Sequence, residues 1–182
     1  HLTFGDYLSA MLTADRELVL DDTRYGYRAK LLQSFRSYGI TPTSDRGDET
    51  GTWLPAPNSG ELAYGGIHFR SLQTDVDEVF RFLWENRAAL DVTDEVYTRV
   101  LSVRSCMRLS PDGFFLQETV AEYVQIIDLT PPELERFDIK VPDKISRTTR
   151  IRITGGGTLI FDEYGKLKFH VHPISTIPEL FY

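Results

Sequence analysis

One cysteine, Cys106, is all the chain contains. It can form no internal disulfide, and it fits a reducing compartment or a fold that needs no covalent staple. Long apolar runs are missing too: nothing approaches the roughly 20 residues that span a bilayer, which excludes a membrane-spanning helix. The start shows no basic stretch followed by an apolar one, so no signal peptide is expected, and cytoplasmic location is the expectation. Positive charge is in short supply. Lys and Arg number 20 against 27 Asp and Glu, giving a net charge of −7, which disfavours nucleic acid as the main partner because phosphate contacts need a basic surface. Catalytic signatures are absent as well: no H-E-x-x-H, no paired-cysteine motif, no phosphate loop and no G-x-S-x-G. No active site assembles from such a list, and no cofactor is expected within the chain.

What is present is the material of a folded domain. The 182 residues are 41% hydrophobic and 26% charged, enough to bury a core and remain an ordinary soluble chain. Thr3 is a good N-cap with Asp6 three residues on, and Phe4, Tyr7, Leu8, Met11 and Leu12 recur at helical spacing, predicting a helix from Phe4 to about Ala14. Asp21, Asp22 and Thr23 offer the next cap. Tyr27, Leu31, Leu32, Phe35 and Tyr38 form a second stripe, which Gly39 is placed to end with Ile40 packing back. Residues 41–73 are rich in Pro, Gly, Ser, Asp and Thr and read as a linker or long loop that Trp53, Leu54 and Tyr64 would dock. Thr74, with Asp77 at its third position, caps a third helix whose core face is Val76, Val79, Phe80, Leu83, Trp84 and Leu90.

Beyond this helix the period changes to two. "VYTRVLSVRSCMRL" and "FFLQETVAEYVQIIDL", joined at Ser110-Pro111-Asp112-Gly113, read as a long hairpin. "PPELERFDIKVPDKIS" reads as a connection. "TTRIRI", "GTLIFD" and "KLKFHVHPI" read as three more strands, with Gly155–Gly157 turning the first corner and Asp162-Glu163-Tyr164-Gly165 the second. The expected fold is α+β: an N-terminal helix pair over 1–40, a linker over 41–73, then a helix and an antiparallel unit of about five strands over 74–182.

Several residue groups invite a chemical reading. His170 and His172 stand two apart on one strand and, with Cys106 or an acid, would suit a metal, but a solvated strand face is the plainer reading. Asp15, Glu17, Asp21 and Asp22 offer oxygen ligands without the spacing of a calcium loop, so a cap and an acidic loop are the plainer reading. Cys106 reads as a small hydrophobe in a strand. Arg150, Arg152, Lys166, Lys168, His170 and His172 alternate with apolar residues and form a basic wet face, a candidate binding surface for another protein or an acidic ligand, though a solvated face is the plainer reading.

Thr3-Phe4, Ala10, Ala14, Asp15, Leu18, Gln33, Phe35 and Gly39-Ile40 follow one another in an order that resembles the closing helix pair of thermolysin-like zinc peptidases, the gluzincins. "VLSVRSCMRLSPDGFFLQETVAEYVQ" and "IRITGGGTLIFDEYGKLKFHV" are similar to C-terminal β segments of large bacterial proteins of that type. The resemblance implies a non-catalytic C-terminal region of a zinc metallopeptidase-like protein. Its partner would be an upstream peptidase lobe that carries the zinc, and its β unit would position substrate, regulate the peptidase or recruit a partner. No catalytic residue of the family falls on a position of this chain. The alternative expectation is a self-standing interaction module that uses the basic face of its sheet.

Overall fold

The computed structural model describes residues 3–42, 50–56, 61–109, 113–137 and 139–171. Helices come first and an antiparallel sheet follows, an α+β architecture.

Helix α1, Phe4–Leu18, starts in a full capping box: the Thr3 hydroxyl accepts from the Asp6 amide at 3.1 Å, and the Asp6 carboxylate accepts from the Thr3 amide at 2.7 Å. It runs one turn beyond the apolar stripe. Helix α2, Tyr27–Arg36, is capped from a distance. Asp22 accepts from the amides of Tyr27 and Arg28 at 2.8 and 2.9 Å, while the residue at the cap position is Gly26 in the left-handed region. Its end follows the expectation: Gly39 has φ of 73°, and Ile40 N–H returns to the Phe35 carbonyl at 3.1 Å. A 3₁₀ turn at Ser71–Gln73 leads into α3, Val76–Glu85. Its cap is Asp75, not Thr74, with the carboxylate accepting from the Asp77 amide. A further short helix, α4 (Pro131–Glu135), with a Thr130/Glu133 capping box, lies in the stretch expected to be a plain connection.

The sheet has four strands among the described residues: β1 Tyr97–Leu109, β2 Phe115–Leu129, β3 Ile151–Phe161 and β4 Leu167–Val171, in that spatial order and antiparallel throughout. The Pro-Asp part of the hairpin turn lies outside the described residues. The count of about five strands is corrected at Gly155–Gly157. These glycines do not turn a corner; β3 runs straight through them, pairing Gly155, Gly156 and Gly157 with Gln125, Val124 and Tyr123. The reason is steric. Gly156 lies hard against β2, where a Cβ would stand 2.3 Å from the Tyr123 carbonyl oxygen. The glycines serve a close approach of two strands. The Asp162–Gly165 turn is as expected, with Gly165 at φ of 79° and its N–H donating to the Asp162 carbonyl.

One face of the sheet is covered from the start of β1 to about Val103, and is exposed at the hairpin end. Val100, Ala121, Tyr123, Leu159, Phe161 and Leu167 pack with Val79, Phe82 and Leu83 of α3 and with Leu62, Leu72 and Leu90. Towards the start of β1, Val96 and Leu129 continue this face against Leu134 of α4, joined by Ile127, Phe137, Ile151 and Ile153. Among the described residues, the C-terminal turns of α1 meet the other face near the β1–β2 hairpin end. Leu8 and Leu12 of α1 are fully buried within the chain, while Phe4 and Tyr7 are exposed.

Candidate functional site

Two interruptions in strand register decide which side chains share a face. In β1, Val100 pairs with Tyr123 and Ser102 with Glu122, so Leu101 is an extra residue. In β4, Phe169 pairs with Ile160 and Leu167 with Phe161, so Lys168 is extra. Each is a β-bulge, and beyond it the alternation of faces is inverted.

The β4 bulge overturns the expected basic row. Strict alternation would put Lys168 and His170 on the same wet face. Instead Lys168 turns to the α1 side, where its ammonium meets Glu17 and, at 2.7 Å, the Glu118 carboxylate. His170 turns to the opposite side and pairs its Nε2 with the Tyr123 hydroxyl at 2.8 Å. Gly157, the residue opposite Tyr123 on β3, has no side chain, which lets the phenol reach across that strand to β4. Arg152 lies elsewhere again. It sits near the start of β3 opposite Asp128, forming two hydrogen bonds of 2.9 and 3.1 Å, about 23 Å along the strand from the residues that pair with β4. Arg150 is exposed just before β3, close enough to lower the pKa of Asp128 and Glu133. Of the four described candidates, Lys168 and His170 take opposite faces and Arg150 and Arg152 lie at the far end of β3, because that strand does not turn at the glycines. His172 lies outside the described residues.

Lys168 belongs to a chain of four alternating charges, Arg108–Glu118–Lys168–Glu17. Glu118 is only 4% exposed, so it needs both cations. Burial opposes the charge on Lys168, but hydrogen bonds to Glu118 and Glu17 outweigh it and raise its pKa above the ordinary lysine value. Arg108 also donates to the Ala14 carbonyl at 3.0 Å, and a cation there suits the negative end of the α1 dipole. Beside this cluster Trp53 N–H donates to the Thr13 hydroxyl, and Trp53 meets Phe169 edge-on at 6.2 Å. A cleft of about 350 Å³ opens there, with Arg16 tied to Thr52 at 2.7 Å on its wall. The cluster is neutral and fastens α1 to the sheet.

The acidic loop is accounted for by local structure. Asp15 pairs with Arg28 at 2.8 Å, Asp21 accepts from the Thr23 amide and Asp22 caps α2. Among the described residues no group of three or more His, Cys, Asp or Glu is placed to hold a metal ion.

The face that stays open is the one opposite the core, over the first half of β1 and its neighbours. Tyr97, Arg99 and Leu101 are exposed there, as are Arg104, Glu122, Arg152 and Thr154. The partners of Arg99 and Arg104 on β2 are Val124 and Val120, both on this face. Their separation of five would place them on opposite faces of a regular strand, and the Leu101 bulge brings them together. Sequence reasoning missed both arginines for that reason, since nothing in "VYTRVLSVRSC" marks the bulge. Arg152, opposite Asp128, stands on the same face but eight β2 positions from Val120, about 26 Å along the strand from the level of Arg104, and two carboxylates share the face. Glu122 lies 3.9 Å from Arg104, and Asp128 is held by Arg152, whose hydrogen bonds keep its pKa below the usual range.

No protein-family model, no curated protein and no solved structure matches this chain.

Proposed function

We propose that this chain is an interaction module that binds an acidic protein surface on the open face of its sheet. The observation that carries the reading is the row of Arg99, Arg104 and Arg152 spread along the open face of the sheet, with Tyr97 exposed beside Arg99 on it, in a chain whose net charge is −7. Arginine beside an exposed aromatic is the composition of a contact surface, because the planar guanidinium pairs with carboxylates and carries apolar area with it. Exposed apolar and aromatic side chains beside the arginines favour a protein partner over a nucleic acid, whose phosphates need a wide basic surface.

The test is binding of poly-L-glutamate, followed by calorimetry at low and high salt. The intact chain should bind it at low salt and release it at high salt. The double variant Arg99→Glu with Arg152→Glu should not bind. No binding by the intact chain, or equal binding by the variant, would overturn the reading.

The peptidase resemblance gives this module a setting. In a longer zinc peptidase-like protein, the exposed Phe4, Tyr7, Tyr27 and Tyr38 of the α1–α2 region would meet the upstream lobe. An H-E-x-x-H in the same reading frame would support that setting, and a frame without one would remove it.

A further inference from the structure

The two edges of the sheet are unlike. At β4 the Lys168 carbonyl accepts from the Ala56 amide at 2.7 Å, and Leu167 N–H donates to the Tyr64 hydroxyl at 3.0 Å, so neighbouring chain covers this short edge. At the other edge β1 is 13 residues long, and among the described residues no backbone group pairs with its outer side. A strand of this length with an unpaired row of N–H and C=O groups is a template for another strand. After the Leu101 bulge its register is unbroken for the eight residues Ser102–Leu109.

The side chains of that stretch define what fits beside it. Ser102, Arg104, Cys106 and Arg108 stand on the face opposite the core, where Arg108 is held by Glu118 and the Ala14 carbonyl and Arg104 is the exposed cation. Val103, Ser105, Met107 and Leu109 share the other, where Met107 and Leu109 are each 67% exposed and Phe115, opposite Leu109, is 55% exposed. Cross-strand neighbours interact directly, so a matching strand carries acids on one face and apolar residues on the other. A second copy of β1 does not satisfy this. Antiparallel pairing of β1 with itself gathers the arginines of both copies on one face, and β1 contains no acid to offset them.

We propose that β1 recruits an extended segment of an acidic partner, alternating acidic and apolar residues, as a fifth strand along Ser102–Leu109. The proposal rests on the reading of the sheet as a surface for acidic protein and names how the partner docks.

The probe is a capped eight-residue peptide alternating glutamate and valine, with a lysine–valine peptide as its counterpart. Binding to the full chain is measured by calorimetry, and amide hydrogen exchange is followed through β1. The expected result is binding by the glutamate peptide alone, with alternate amides of Ser102–Leu109 slowed at least ~10-fold. Arg104→Glu should weaken binding ~10-fold or more, and Arg104→Lys should largely keep it. Arg104 is exposed, so neither change should disturb the fold, which circular dichroism checks. If the peptide binds and Arg104→Glu weakens it but no β1 amide is protected, the edge proposal fails and the acidic-face reading stands. If the lysine peptide binds equally well, or neither peptide binds while poly-L-glutamate does, the alternating-strand partner is overturned. If neither peptide nor poly-L-glutamate binds, both readings fall.

Discussion

Gly156 has φ of 136°, a backbone that a side chain rarely adopts, and an added Cβ would meet the Tyr123 carbonyl oxygen at 2.3 Å and the Val124 Cα at 2.8 Å. Both obstacles are backbone, so neither can swing aside. Gly156→Ala should cost about 2–3 kcal/mol in denaturant unfolding. Gly65→Ala, at an exposed glycine with open space around it, should stay within about 0.5 kcal/mol. Equal effects would mean that the close approach at Gly156 has little energetic weight. Lys168 is the other residue on which much depends. Lys168→Met removes one of two cations from buried Glu118 and should destabilise by about 3 kcal/mol at neutral pH. Its pKa is raised in the folded state, so its contribution is complete below lysine's ordinary value of about 10.4 and is lost as pH climbs through the higher folded value. The stability gap between the intact chain and Lys168→Met should therefore narrow only above that pH, and a gap that closes near neutrality would contradict the pairing.

Among the elements, helix α2 shows how local chemistry sets a boundary. Asp22 lies five residues before Tyr27, yet its carboxylate accepts from the first two amides of the helix. Those hydrogen bonds outweigh its burial and lower its pKa, so their support is present above the usual carboxylate range and fades as pH falls below about 3.9. Asp22→Ala should speed amide exchange at Tyr27 and Arg28 while leaving α3 unchanged; uniform acceleration would point to global destabilisation instead. The capping box at Thr3 and the left-handed Gly39 were legible in the sequence because each is a short-range signal carried by the residues themselves. The strands were legible only as periodicity. Gly155–Gly157 read as a corner because glycine marks both turns and close approaches, and only the partner strand tells them apart. The basic row through Lys168 and His170 failed for a related reason. A bulge is a property of a pair of strands, so one strand's alternation gives no sign of where an extra residue sits. The same blindness hid Arg99 and Arg104 as neighbours.

At the scale of the whole molecule, α1 is joined to the sheet by part-buried polar contacts. Arg108 reaches Ala14, Lys168 reaches Glu17, and Thr13 accepts from Trp53. The two tryptophans report different regions: Trp53 sits at the α1–β4 junction, and Trp84 on α3 stacks with Phe80. Trp53→Phe and Trp84→Phe variants, each followed by its remaining tryptophan, should show one shared denaturation midpoint once their stability difference is measured by circular dichroism. Separate midpoints within one variant, by fluorescence and by circular dichroism, would divide the chain into units that unfold independently. The extra residue in β4 has a consequence for how this gene can change. Substitutions at position 168 alter a charge, but loss of its single codon alters geometry. With Lys168 deleted, the strand regains plain alternation, so the residues on one side of the gap trade faces: either His170 leaves Tyr123 for the α1 side, or Leu167 leaves the core. Variation along β4 is thus open to replacement and closed to shortening.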